Sequence, residues 1–318
     1  MKIIKVKLPY LNAYIPFDAD YLKKDTVSAF DIFIKRKDDY VIVIEAGTRL
    51  SEELLNKLKK HESLYIAKKD QDKQVLSCES LHHYIEHNKN DVKARLQLLY
   101  EVNEKLFDIC FTSKDNTINL PCVEGIVKSI IFLVKRDVAF VNKTMPYFTT
   151  DFKIANHSLH VAIYAVKLGA LLKFSEKQLL QLGTAGLLHD VGCKRVPQSL
   201  LDKTSRLSAK EIETVNLHAQ YSVDIVRQNC IHDPYIIDAI AHHHERYDGS
   251  GYPEKQTKEE MSDFASILAI CDVFDALTNN RPHRKEYKSF DALRMMIKDT
   301  SMINQFNQKY LLLALKSL

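Results

Sequence analysis

From about Phe152 to Thr278 the chain reads as a succession of amphipathic helices, and almost every one of them carries a histidine or aspartate near a position that should face inward. The helical segments expected from apolar spacing are Phe152 to Leu172, Ser175 to Asp190, Ser208 to Asn229, Pro234 to Glu245 and Met261 to Thr278, with two more towards the C-terminus. His157, the pair His189-Asp190, His218, the pair His243-His244 and Asp272 fall on five successive segments. A bundle that packs these helices about one axis can aim all of them at one place. Imidazole and carboxylate are the donors that divalent cations take. A lone inward histidine is ordinarily a hydrogen-bonded core residue, but five separated sites together favour a cation cage.

The pairs refine this expectation. Neighbours on a helix point about 100° apart, which suits a shared ion poorly. At a helix end, however, His189 and Asp190 can reach one ion while the second oxygen of Asp190 turns to a neighbouring ion, whose shell His243 and His244 close. The pattern therefore favours two metals, an arrangement suited to breaking phosphate esters.

Around this core the chain divides into three stretches: a small α+β unit over 1–88, a helical connector over 89–147 and the helical bundle over 148–318. The fold class is mainly α. In the first stretch, Ser28 to Lys35 and Tyr40 to Glu45 are rich in Ile, Val and Phe and flank the polar Arg36 to Asp39, which predicts a hairpin. Ser51 can cap a short helix with Glu52 and Glu53 in its first turn and Leu54, Leu55 and Leu58 inward, before a strand near Leu64 to Ala67. Asp91 to Phe111 and Val123 to Arg136 have helical spacing. Ser175 with Glu176, Ser208 with Glu211 and Asp233 with Pro234 are the expected helix starts.

Composition excludes several classes. Lysine and arginine number 45 against 41 aspartates and glutamates, and the charges are interspersed, so no basic stripe suggests a nucleic-acid polymer as partner. The six cysteines lack CxxC pairs or a disulfide rhythm, as in a reduced, cytoplasmic protein. MKIIKVKLPY alternates lysine with apolar residues and suits a strand rather than a signal peptide; the run Ile130 to Val134 is far too short to cross a bilayer, so no membrane insertion is expected. His83 and His87 have i, i+4 spacing but no partner pair, and are expected on a surface helix. His160 is expected to pack beside His157.

HDVG at His189, HHERYDGSGYP from His243 to Pro253 and DVFDALTNNRPHR from Asp272 to Arg284 resemble the HD-GYP family of bacterial cyclic di-GMP phosphodiesterases, in matching order and interval, over about Phe148 to Lys288. The resemblance implies an HD-type helical domain in which His157, His189, Asp190 and Asp272 hold one metal and Asp190, His218, His243 and His244 the other, with iron or manganese as the ions. It implies hydrolysis of cyclic di-GMP to pGpG and on to GMP, with His189 and Asp190 at the reacting centre. The amino-terminal stretch more loosely resembles small α+β domains that precede such domains, with a regulatory or dimer-forming role. A homodimer, and a signalling partner met through the GYP loop or the amino-terminal domain, complete the expected associations.

Arg281 and Arg284 are suited to forked hydrogen bonds with a phosphate, with Lys285 adding positive potential and Asp275 orienting Arg281. In the loop from Asp248 to Pro253 two glycines permit left-handed backbone angles, and Tyr252 can stack on a guanine. The chain departs from the family at Cys193, where the family has a lysine that contacts phosphate; Lys194, displaced by one residue, is expected to substitute for it in part as a substrate contact. Losing one such donor typically costs about 10²- to 10³-fold in rate, which suggests a slower enzyme. The alternative is a catalytically weak receptor or adaptor that binds cyclic di-GMP and signals through the amino-terminal domain. Lys153 stands one turn before His157, where family members with a third metal have glutamate, and its charge predicts two metals.

Overall fold

The computed structural model describes residues 5–6, 14–17, 22, 24, 28, 30–36, 39–61, 63–67, 81, 82, 85, 92–112, 116–136, 153–279, 286–299 and 302–318. The chain divides into two units, Met1–Tyr84 and Ile85–Leu318. His83 and His87 lie outside the described residues.

The apolar runs of the first unit form strands β1 (Lys5–Val6), β2 (Tyr14–Phe17), β3 (Ile32–Arg36), β4 (Asp39–Ile44) and β5 (Leu64–Ala67), with helix α1 (Glu52–Leu58) between β4 and β5. All pairings are antiparallel, and the sheet order is β1-β4-β3-β5-β2. The expected hairpin is β3–β4, with Arg36 opposite Asp39. Its first strand begins at Ile32 rather than Ser28, because the Ser28 hydroxyl donates to the Phe30 carbonyl and its amide to Thr48, so local bonds take the place of a ladder. Ser51 caps α1 by accepting from the Leu54 amide. Ile32, Ile34, Val41, Val43, Leu64 and Ile66 share a core with Leu50 and Leu58. The short β2, which its Pro16 obscured in the sequence, pairs among the described residues with β5 at the edge of the sheet, where a missing N–H is tolerated.

The second unit is helical among its described residues: α2 (Val92–Thr112), α3 (Leu120–Arg136), α4 (Ile154–Leu171), α5 (Glu176–Leu188), a 3₁₀ turn over Val191–Arg195, α6 (Gln198–Leu201), α7 (Ala209–Asn216), α8 (His218–Gln228), α9 (Pro234–His242), α10 (Asp263–Thr278), α11 (Ser289–Lys298) and α12 (Gln308–Ser317). The helices expected as a connector belong to this unit; α3 packs on α4 and α5, and α2 on α4. Central α4 is buried almost all round from Ala155 to Gly169, as a helix enclosed by neighbours should be. Ser175 with Gln178 and Ser208 with Glu211 form capping boxes, and Asp233 caps α9 ahead of Pro234.

The single helix expected over Ser208 to Asn229 is broken at Leu217 into α7 and α8. The cause lies in the next residue: His218 Nδ1 bonds the Val215 carbonyl at 2.8 Å, so a side chain takes an acceptor that the helix ladder would otherwise use.

Candidate metal centre

Three of the inward histidines share one local device. His189 follows the last residue of α5, His243 follows α9, and His218 follows the break after α7. At such an end the carbonyls of the last turn have no intrahelical donor. Each histidine takes one of them: His189 Nδ1 bonds Gly186 at 2.8 Å, His218 Nδ1 bonds Val215 at 2.8 Å and His243 Nδ1 bonds Ile240 at 2.7 Å. A carbonyl only accepts, so Nδ1 donates and Nε2 is the atom directed inward. The same logic fixes His157, whose Nδ1 donates to Asp275 Oδ2 at 2.7 Å.

The inward nitrogens converge. His157 and His189 Nε2 lie 3.3 Å apart, His218 and His243 Nε2 3.4 Å, and His218 and His244 Nε2 3.1 Å. Lone pairs at such distances repel unless a cation or a proton stands between them. His157, His189 and Asp272 form one group whose donor atoms all lie within 4.8 Å of one another; Asp190, His218, His243 and His244 form a second. Asp190 joins them: Oδ2 lies 3.5 Å from both His157 and His189, while Oδ1 lies 3.2 Å from His218 and 3.8 Å from His243. Asp272 also spans the groups, with Oδ1 3.3 Å from His157 and Oδ2 3.5 Å from His244. All seven sequence-predicted ligands are thus brought together, and the cluster is able to bind metal ions.

The protonation states suit that role. Burial opposes ionisation of Asp190 and Asp272, yet the surrounding imidazoles hold both carboxyls well below the usual range. Burial, reinforced by neighbouring histidines, keeps His189 and His244 low and pushes His243 down to about 3. Burial also disfavours charge on His157 and His218, but hydrogen bonds to Asp272 and Asp275 lift the first to about 10, and Asp190 raises the second. A metal held by such a set would compete with protons for these two rings.

Asp275 contacts two histidines. Its oxygens are taken by His157 at 2.7 Å and His160 at 2.8 Å, so it orients a ligand of the cluster, whereas Arg281 and Arg284, with Lys285, lie outside the described residues. Sequence spacing put Asp275 one turn after Asp272 but did not tell which neighbouring helix it would face. Glu245 was also missed. Fully buried, it accepts the backbone amides of Glu254 at 2.6 Å and Gln256 at 3.0 Å and so pins the end of the GYP loop beside His244. A charged residue inside a polar string gives no sign of burial.

In that loop only Gly249 uses the left-handed region, with φ +73°; a Cβ at Gly251 would sit 2.5 Å from backbone atoms of His244, Glu245 and Arg246, so close approach explains the second glycine. Tyr252 stacks on the His244 ring, with centroids 4.7 Å apart at 26°. Lys194 donates its amine to the Cys110 carbonyl of α2 at 2.6 Å, and Cys193 is buried. Lys153 pairs with Glu104 at 3.1 Å.

No helix among the described residues is long and apolar enough to cross a membrane. The HD domain family model matches residues 137–303, which include the whole cluster. Over 148 residues the chain is 34% identical to a cyclic di-GMP phosphodiesterase of Pseudomonas aeruginosa, covering 46% of this chain and 36% of that one. Over 144 residues it is 34% identical to the 3'3'-cGAMP-specific phosphodiesterase 3 of Vibrio cholerae, covering 45% and 31%. The chain therefore spans about a third of the length of these relatives. Among solved structures, Bd1817, an HDG"Y"P protein from Bdellovibrio bacteriovorus, superposes with a TM-score of 0.63 over 95% of this chain and 98% of that one, at 18% identity, a likeness of fold. With more than half its length matched and the histidine–aspartate cluster inside the matched region, the chain belongs to the HD domain family.

Proposed function

We propose that this chain is a two-metal phosphodiesterase that hydrolyses cyclic di-GMP to pGpG and on to GMP. The observation that carries the reading is Asp190, whose two oxygens face two separate groups of ligand atoms. His157, His189, Asp190 and Asp272 would hold one divalent ion and Asp190, His218, His243 and His244 the other, with iron or manganese as the ions. When bound, such ions activate water near neutral pH and neutralise phosphoryl charge.

The rest falls to the chain's own groups. Nδ1 bonds to carbonyls and to Asp275 keep the imidazoles turned inward. Tyr252 covers the His244 face of the cluster, and Glu245 keeps its loop in place. Arg281 and Arg284 supply forked donors to the phosphate, and Tyr252 a surface for the base. A homodimer, with a partner at the GYP loop or the amino-terminal unit, belongs to the same proposal.

Purified chain loaded with Mn²⁺ is expected to convert cyclic di-GMP to the linear dinucleotide, and His189→Ala or Asp190→Ala to abolish turnover. Absence of turnover of either cyclic di-GMP or 3'3'-cGAMP rejects the enzyme reading; a preference for the second moves the substrate while keeping the chemistry.

One observation favours a weak receptor instead: the Lys194 amine is engaged by the Cys110 carbonyl, and the family's lysine position is a buried thiol. Cys193→Lys separates the two. A gain in rate of about 10²-fold or more supports the receptor, on the usual worth of one positioned donor, and little change supports the enzyme.

A further inference from the structure

Beyond the seven ligand residues, a buried hydrogen-bonded chain runs from α2 to the cluster. Tyr100 Oη lies 2.7 Å from His160 Nε2, His160 Nδ1 lies 2.8 Å from Asp275 Oδ1, and Asp275 Oδ2 lies 2.7 Å from His157 Nδ1. Tyr100 is 6% exposed, and the other three 2% or less. Asp275 offers one oxygen to the His157 ring and the other to the His160 ring, and Tyr100 Oη meets the second nitrogen of His160, so His160 is held on both sides.

Tyr100 lies on α2, ahead of residues 137–303 that carry the family match, so the last link comes from a helix outside the matched domain. The same helix holds α4 at two further points: Asn103 Nδ2 donates to the Ala155 carbonyl at 2.6 Å, and Glu104 pairs with Lys153. All of these flank His157 on α4.

We propose that Tyr100 and His160 are positioning residues that, through Asp275, fix the orientation of His157 and thereby set the affinity of the metal group to which His157 belongs. The inference rests on the reading that His157 holds a metal. Partners that orient a ligating histidine are typically worth roughly 10- to 100-fold in metal affinity when removed. Because among the described residues the relay reaches the cluster at His157, its loss should act on the group of His157 more than on the one formed by His218, His243 and His244.

The test is calorimetric titration of the metal-free full chain with Mn²⁺, with His157→Ala marking the class of sites that belongs to His157. Tyr100→Phe, which deletes one hydroxyl and keeps the ring, is expected to weaken that class by roughly 10-fold or more and leave the other at its wild-type affinity. Glu104→Gln, which breaks an exposed pair between the same helices, is expected to change neither class. Equal weakening of both classes by Tyr100→Phe, an unchanged isotherm, or the same loss from Glu104→Gln would each overturn the proposal, since helix docking or nothing at all would then explain the result. A wild-type chain that takes up no Mn²⁺ defeats the proposed function itself, and the relay with it.

Discussion

Replacing Gly192 by alanine joins packing to function in one substitution. A Cβ there would sit 2.1 Å from the His218 carbonyl oxygen, 2.4 Å from the Ser222 amide nitrogen and 2.7 Å from Ser222 Oγ. Two of the three are backbone atoms of a helix and cannot swing aside, so the 3₁₀ turn and α8 must part by more than about 1 Å before ordinary contact is restored. Overpacking of this kind costs about 1–3 kcal/mol. Separation also breaks the 2.8 Å bond from the Gly192 amide to Ser222 Oγ, worth about 1 kcal/mol. Some 2–4 kcal/mol in a unit of this size lowers Tm by roughly 5–15 °C. The same movement draws Asp190, two residues earlier, from His218, whose Nε2 lies 3.2 Å from Oδ1. The expected outcome is a calorimetric Tm drop in that range together with weakened Mn²⁺ binding at the group that includes His218. Wild-type Tm and wild-type Mn²⁺ affinity in Gly192→Ala would show that the close crossing does not hold the site together.

Other perturbations separate the remaining parts of the account. Glu245→Gln weakens the carboxylate's hold on the Glu254 and Gln256 amides; charge-assisted bonds are roughly twice as strong as neutral ones, so cyclic di-GMP affinity is expected to fall several-fold while Mn²⁺ content, measured by elemental analysis, stays constant. Asn229→Ala leaves the Ile118 amide and the Asn116 carbonyl without their side-chain partner, which at about 1–3 kcal/mol lowers Tm by roughly 3–10 °C without changing catalytic constants. Removing metal with EDTA should lower Tm by roughly 10 °C relative to protein in Mn²⁺ at 1,000 times its Kd, since saturation of that degree contributes about 4 kcal/mol. An unchanged Tm in EDTA would mean that the cluster gains nothing from a cation.

The ligand set is legible because its members recur on successive helical segments and because four of them come as two neighbouring pairs. His189-Asp190 and His243-His244 make sense only at helix ends, and each pair is found there. What the sequence withheld were matters of direction and distance. Nothing in the run from Ser208 to Asn229 distinguishes a continuous helix from one that His218 interrupts by bonding Val215, because the choice depends on where the ring is pulled by the cluster. His160 is legible as a neighbour of His157, whereas the sequence reading sets Asp275 towards Arg281; the bond between His160 and Asp275 crosses from α4 to α10, and packing fixes it. Gly251 was read as conformational freedom, whereas the backbone of His244 to Arg246 passes too close for any side chain. In the first unit the alternation of β3 and β4 carried the hairpin, while β2, four residues with a proline, had too little pattern to stand out.

The account stands most directly on the number of ions held across Asp190. Equilibrium titration of the metal-free chain with Mn²⁺, read as equivalents bound per chain, is expected to give two for the wild type and a loss of tight binding at both groups for Asp190→Ala. A wild-type chain that binds one equivalent or none, or an Asp190→Ala chain that still binds two tightly, would contradict it.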